Sequence, residues 1–313
     1  MTVTFSPVID LVLGVALAVV TGIMFNLGAI YMKKGVLALK EITITDFRTI
    51  LALFKSRTWL FGFFLGVGGN LPYLLAQSLA GVTLVSPLTN TGLIALALFA
   101  WRFFGERLRA VEKAAIALLV IAPFCLSFAG VTKVTYTSIT ANVWIAFSVF
   151  SGIAAIVAVV LMAVNTRRRS QEGKADILAI NSGISFGISS LGSQLVTITL
   201  IPLLVHGTLA GIDWLVFIPA ALLWAGPNLL AGLWQQQSLQ KGKAARVIPL
   251  QNTGSLTVPV IGGILIFGQV VGNWAIFLPG IILIGLAIVF LARLQEQVEH
   301  SLASGPTVNQ PKE

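Results

Sequence analysis

The chain has 313 residues, of which 57% are hydrophobic and only 10% charged, with a mean hydropathy of +0.94. A soluble globular domain carries about 25% charged residues, so a chain this apolar has no polar shell to place around a core, and a soluble fold is excluded. The net charge of +9 does not point to nucleic acid, because the basic residues stand between long apolar runs, where membrane insertion places them.

In chain order the apolar runs give nine spans, at 8–31, 59–80, 83–103, 110–130, 139–164, 177–204, 212–238, 245–267 and 272–292. Each is near the ~20 residues that cross a bilayer. Only Asp10 is charged before Leu11, with no basic residue, so a cleavable signal peptide is not expected and the first run stays as a span. The segment 41–57 is too charged to span. Phe47, Ile50, Leu51 and Phe54 follow helical spacing, with Asp46, Arg48 and Lys55 off that stripe. It reads either as an amphipathic helix on the inner membrane surface or as a cytoplasmic helix packed on the bundle. Cys125 is the only cysteine and lies in an apolar run, which leaves no disulfide or thiolate metal site. After Gln295 the chain turns polar, with Gly305, Pro306 and Pro311, and a disordered tail is expected over 294–313.

With the N-terminus outside, every lysine and arginine except Lys133 falls on the inner side. That separation follows the positive-inside rule and supports both the span count and the orientation. The expectation is a multi-pass protein of the cell (plasma or inner) membrane with a cytoplasmic C-terminus.

Val85–Gly92 reads VSPLTNTG and Val247–Gly254 reads VIPLQNTG, six matches in eight at an offset of 162. Flanking landmarks recur in the same order. Trp59-Leu60, Asn70, Gln77-Ser78-Leu79 and Gly105-Glu106 correspond to Trp214-Leu215, Asn228, Gln237-Ser238-Leu239 and Gly268-Gln269. Spans one to four therefore match spans six to nine, with the fifth as connector. Matching helices lie an odd number of spans apart, so the halves have opposite orientation. The charges agree: Gly105-Glu106-Arg107-Leu108-Arg109 is basic on the inside, whereas Gly268-Gln269-Val270-Val271 is uncharged on the outside. The fold class is thus an all-α integral membrane protein of about nine helices, two inverted four-helix repeats (1–136 and 177–293) joined by a linking helix and a basic loop (137–176). Inverted repeats recur in secondary transporters, where one half rocks against the other, and channels can also be built this way.

Polar groups in a bilayer core are costly unless partnered, so those present are candidates for a solute path. Here they are amides and hydroxyls. Asn90 and Asn252 sit seven or so residues into their spans, on the order of 10 Å from the starting face, hence near the midplane where such transporters bind solute. Pro87 and Pro249 stand three residues earlier and each frees a backbone carbonyl that an amide can satisfy. Structural glue and solute binding are both open for these asparagines. Asn26, Asn70, Asn90, Asn228 and Asn252 are the primary candidate site, with Thr91, Thr253, Gln235 and Gln236 secondary. Gly14, Ala18, Gly22 and Asn26 share one helix face, and Ser182, Ser185, Ser189 and Ser193 nearly do; small stripes of this kind serve close helix packing. No carboxylate falls in mid-span, since Asp10, Asp213 and Glu106 all stand at span ends. A bare divalent cation or a titratable coupling group would want one there. No nucleophile–base pair and no Gly-rich phosphate loop occurs, so neither enzyme activity nor any cofactor or metal is expected.

The repeat, the Pro-Leu-x-Asn-Thr-Gly helix and the Gly105-Glu106-Arg107-Leu108 ending resemble the drug/metabolite transporter (DMT) superfamily, EamA-like. The layout is most similar to its NIPA-type branch of magnesium transporters. Lys33-Lys34-Gly35, Trp59, Asn70, Leu84-Val85-Ser86-Pro87-Leu88 and Glu106-Arg107-Leu108 carry that likeness over about residues 10–292. The branch has an acidic residue just before the asparagine matched by Asn70, where this chain has Gly66-Val67-Gly68-Gly69. The resemblance implies a permease of the superfamily type. The missing carboxylate favours a small neutral or zwitterionic metabolite, with a NIPA-like magnesium transporter and a non-transporting membrane subunit as alternatives. Expected partners are the solute, the lipid bilayer and a second copy in a homodimer, with no nucleic acid.

Overall fold

The computed structural model describes residues 7–37, 54–94, 110–132, 139–167, 170–206, 213–242 and 244–304. Ten α-helices carry these residues: α1 Pro7–Leu37, α2 Arg57–Gly68, α3 Asn70–Ala80, α4 Val82–Leu88, α5 Ala110–Phe128, α6 Ala141–Arg167, α7 Gln171–His206, α8 Trp214–Lys241, α9 Ala244–Phe267 and α10 Trp274–Ser304. A 3-10 turn, Thr89–Gly92, follows α4. Seven helical stretches are long and apolar enough to cross a membrane, α2 and α3 counting as one, and Lys113–Phe128 in α5 is a shorter apolar helix. The third expected span is described only to Ile94, and the surface helix expected at 41–57 lies outside the described residues but for its end.

The outer surface is what a membrane requires. On α6, Ile145, Val149, Ile153, Ile156 and Val160 are exposed, and on α8 Leu215 is 87% exposed with Ile218, Leu222 and Leu229 beside it. Apolar faces of this extent are stable only against lipid. The protein is an all-α integral membrane protein. Helix α7 is the enclosed centre, whereas α6 and α8 are peripheral.

The second span is interrupted at Gly69, because Pro72 brings no N–H for the carbonyl of Gly68. The third changes to 3-10 geometry at Thr89–Gly92, just after Pro87. There, three successive side chains each bond the carbonyl three residues back: Thr89 to Ser86 (2.8 Å), Asn90 to Pro87 (3.4 Å) and Thr91 to Leu88 (2.7 Å). Helix α9, its repeat partner, stays α-helical through Pro249. One expectation is corrected at the C-terminus. No disordered tail begins at 294, because α10 continues to Ser304. The run Ala292 to Ser304 contains neither glycine nor proline, so its charges end the membrane span without ending the helix.

Close contacts fix the directions of the two halves. Gly14 lies against Leu79 and Ala80, Gly28 against Gly62 and Gly66, and Gly35 against Trp59, so α1 runs antiparallel to α2–α3. Tyr73 and Gln77 of α3 meet Ser190 and Ser193 of α7 in the same order, so α3 and α7 are parallel. Helices α1 and α7, the first of each half, therefore run in opposite directions. Two close backbone approaches resemble each other. The backbone of α1 at Gly22 touches the 3-10 turn at Thr89 and Gly92, and the backbone of α7 at Gly183 touches α9 at Gln251 and Gly254. Gly92 and Gly254 are the last residues of the matched motifs.

Candidate functional site

The polar candidates divide between own-helix bonds and helix–helix bonds. The Asn26 amide donates to Gly22 O at 2.8 Å, and that of Asn70 to Gly66 O and Val67 O at 3.2 and 3.1 Å. With Asn90 on the Pro87 carbonyl, all three first-half asparagines spend their N–H groups on the backbone of their own span. This is the glue role, and it leaves each amide oxygen without a donor among the described residues. Asn228 instead reaches another helix, donating to Ser189 Oγ at 3.2 Å, while Ser189 donates to Trp224 O at 2.8 Å. Gln235, Gln236 and Asn252 are half-buried. Thr253 is exposed and bonds Pro249 O at 2.9 Å, whereas its repeat partner Thr91 is buried. Among the described residues, no hydrogen bond joins any two of these nine candidates. Gly69 lies against Phe25, and Phe25 meets the Tyr73 ring at 5.9 Å, which puts Asn26 and Asn70 at adjacent levels of the α1–α3 contact.

What does join the halves is a hydroxyl and amide seam. Tyr73 Oη, Ser86 Oγ and Ser190 Oγ form a triangle, with Tyr73 to Ser86 at 3.0 Å, Ser86 to Ser190 at 2.7 Å and a short Tyr73–Ser190 contact. One turn further along, Gln77 Oε1 accepts from Ser193 at 3.0 Å, and its Nε2 donates to Ser190 O at 3.4 Å. Thr197 Oγ1 closes the row, 3.5 Å from Gln77 Oε1 and 2.9 Å from Ser193 O. All six residues are buried, and Gln77 is only 1% exposed. Gln194, four residues after Ser190 and hence on nearly the same helix face, is buried with its Oε1 unpartnered. The seam is therefore richer in acceptors than in protons, because each hydroxyl has one hydrogen to share among two or three listening carbonyls and amides.

None of Tyr73, Ser86 and Ser190 is singled out by residue type alone. Ser86 occupies a mismatched position of the repeated motif, opposite Ile248, and that mismatch is the clue the sequence holds: a polar residue in one half and an apolar one in the other. Ser193 belongs to a small-residue stripe, but its hydroxyl reaches across to Gln77 as well as back to Ser190 O at 2.6 Å. Among the described residues no group of three or more His, Cys, Asp or Glu is placed to hold a metal ion.

No family model matches the chain, and no solved structure does. It is 23% identical over 290 residues to an Arabidopsis thaliana protein described as "Probable magnesium transporter NIPA9", across 88% of this chain and 80% of the relative. The chain is a multi-pass membrane protein with distant similarity to a described membrane transporter.

Proposed function

We propose that the protein is a secondary transporter that carries a small neutral or zwitterionic metabolite between its two opposed halves by alternating access. The observation that carries this reading is the buried polar seam between the halves, made of hydroxyls and amides with no carboxylate. In lipid a hydrogen bond between helices adds only about 0.6 kcal/mol on average, so a continuous row of six buried polar residues is more than helix packing alone calls for. The amide oxygens of Asn26, Asn70 and Asn90, with Asn228, Asn252, Thr91, Thr253, Gln235 and Gln236, furnish the rest of the path. The distribution of basic residues supports an N-terminus outside and a C-terminus in the cytoplasm.

A second reading, transport of magnesium, is favoured by the description of the relative. Mg²⁺ is held through carboxylates and retained waters, and the described residues offer no acidic cluster for it. The two readings separate in one experiment on purified protein in detergent and in proteoliposomes. The neutral-solute reading expects the same melting temperature with and without millimolar Mg²⁺, no saturable Mg²⁺ flux, and a stabilising shift from members of a sugar and amino-acid panel. That shift is expected to be lost in Asn90→Ala and Asn252→Ala. A saturable Mg²⁺ flux with a matching thermal shift would replace the first reading with the second.

A further inference from the structure

Hydrogen bonds between the halves are unevenly placed. Beyond the Tyr73–Ser190 level they continue only toward the end where three connections meet: that between α3 and α4 at Gly81, that after α5 at 129–132, and that between α9 and α10 at 268–273. Among the described residues, none lies on the other side of Tyr73. The charge count assigns the crowded end to the outer face.

Gln269 is the centre of that end. It is 1% exposed, and its Oε1 accepts from Thr83 N at 3.1 Å and Thr83 Oγ1 at 2.7 Å, while its Nε2 donates to Thr132 O at 3.0 Å. Thr83 and Thr132 belong to the first half and Gln269 to the second. Gly81, at φ +76°, and Gly263 wall the amide in, since a Cβ on Gly81 would overlap Gln269 Nε2 and one on Gly263 would lie 2.7 Å from its Oε1. Beside it, Val131 and Val271 form an antiparallel bridge, flanked by Thr132 N to Val270 O (2.9 Å) and Gly272 N to Gly130 O (3.2 Å).

We propose that Gln269 is the bolt of an outer gate, closed in this conformation, whose bonds to Thr83 and Thr132 must break for the path to open outward. The inference rests on the transporter reading. A polar bolt suits such a gate because each bond lost on opening is replaced by one to entering water, so the two states stay close in free energy. An apolar seal would instead have to expose its surface.

The test uses the full chain in sealed vesicles, in a Cys125→Ala background, with the near-isosteric Ser86→Cys as reporter in the seam. A membrane-impermeant maleimide is added on the face of the 129–132 and 268–273 loops. With Gln269 in place the reporter is expected to be protected. Gln269→Leu is expected to raise its labelling rate at least about tenfold, because Thr83 N–H and Thr132 O lose their partner in the closed state and regain one from water in the open state. Val131 and Val271 form a non-hydrogen-bonded pair, whose Cα atoms lie about 4.5 Å apart, within disulfide range. Oxidising V131C/V271C in the Q269L variant is expected to restore protection. Equal labelling with and without Q269L would overturn the proposal. So would fast labelling with the pair oxidised, which marks a damaged fold and not an opened gate. Labelling needs no solute, so its failure would sink the gate and leave the transporter reading standing, whereas absent flux with the expected labelling would sink the transporter reading.

Discussion

Gly92→Val and Gly254→Val are each expected to lower stability by roughly 3 kcal/mol, the upper range of overpacking. The cause is the same in both halves. A Cβ on Gly92 would fall on the backbone of α1, 2.5 Å from Ile23 N and closer still to Gly22, and one on Gly254 would lie 2.7 Å from Gly183 C and 2.8 Å from Ile184 N. Neither contact has a flexible side chain that could yield, so whole helices must separate. Gly152 and Gly285 are the controls, since nothing stands within 4 Å of a Cβ added there. Alanine at either is expected to be neutral or to stabilise by up to about 1 kcal/mol through helix propensity. Denaturation of the four variants in mixed micelles checks this. Equal effects at all four positions would remove the claim that the Asn-Thr-Gly motifs are matched points of backbone contact.

The second large effect is at Gln77. Gln77→Glu places a carboxylate in the seam, where the described neighbours are Ser190, Ser193 and Thr197 and no cation. Gln77 is 1% exposed, and a buried carboxylate without a cation costs several kcal/mol after relaxation, so a loss of about 3 kcal/mol is expected at neutral pH. Gln77→Leu is expected to cost less than about 1 kcal/mol, because Ser193 and Thr197 keep their own-helix acceptors, Ser190 O and Ser193 O. The contrast also bears on the solute. In a dry, uncharged seam, Mg²⁺ has no effect on Q77E. Recovery of Q77E stability by millimolar Mg²⁺ would instead mark a hydrated cation path.

Much of the architecture is legible in the chain because lipid simplifies the problem. Spans must be apolar and helical, so their number and order follow from composition, and helices α6, α8 and α9 fall close to the expected 139–164, 212–238 and 245–267. The opposed halves are legible because the motifs repeat while the charges do not. Helix ends are less so. Helix α7 extends six residues before the expected start at 177, and α10 well past 292, since polar residues end a membrane span without breaking a helix. The site is legible only in part. Amide-bearing residues stand out by type, yet Asn26, Asn70 and Asn90 turn their N–H groups onto their own helices. The residues that cross the seam, Tyr73, Ser86 and Ser190, are ordinary at sequence level, and only the packing of α3 and α4 on α7 brings their hydroxyls together. Gln269 reads as the uncharged counterpart of Glu106, a contrast of charge. Its bonds to the start of α4 and to the loop after α5 depend on three connections meeting at one end of the bundle, which no local pattern encodes.

The central claim, two like halves inserted in opposite directions, is tested most directly at the matched helix caps. Ser56 Oγ accepts from Trp59 N at 3.3 Å to open α2, and Asp213 Oδ1 accepts from Leu215 N at 3.0 Å to open α8. Ser56 stands three residues before Trp59 and Asp213 one residue before Trp214, so each caps the start of a matched helix of the repeat. In a Cys125→Ala background, single Ser56→Cys and Asp213→Cys variants are exposed to an impermeant thiol reagent in right-side-out and inside-out vesicles. The account predicts that Ser56→Cys reacts only from the inside and Asp213→Cys only from the outside; reaction of both from the same side would contradict it.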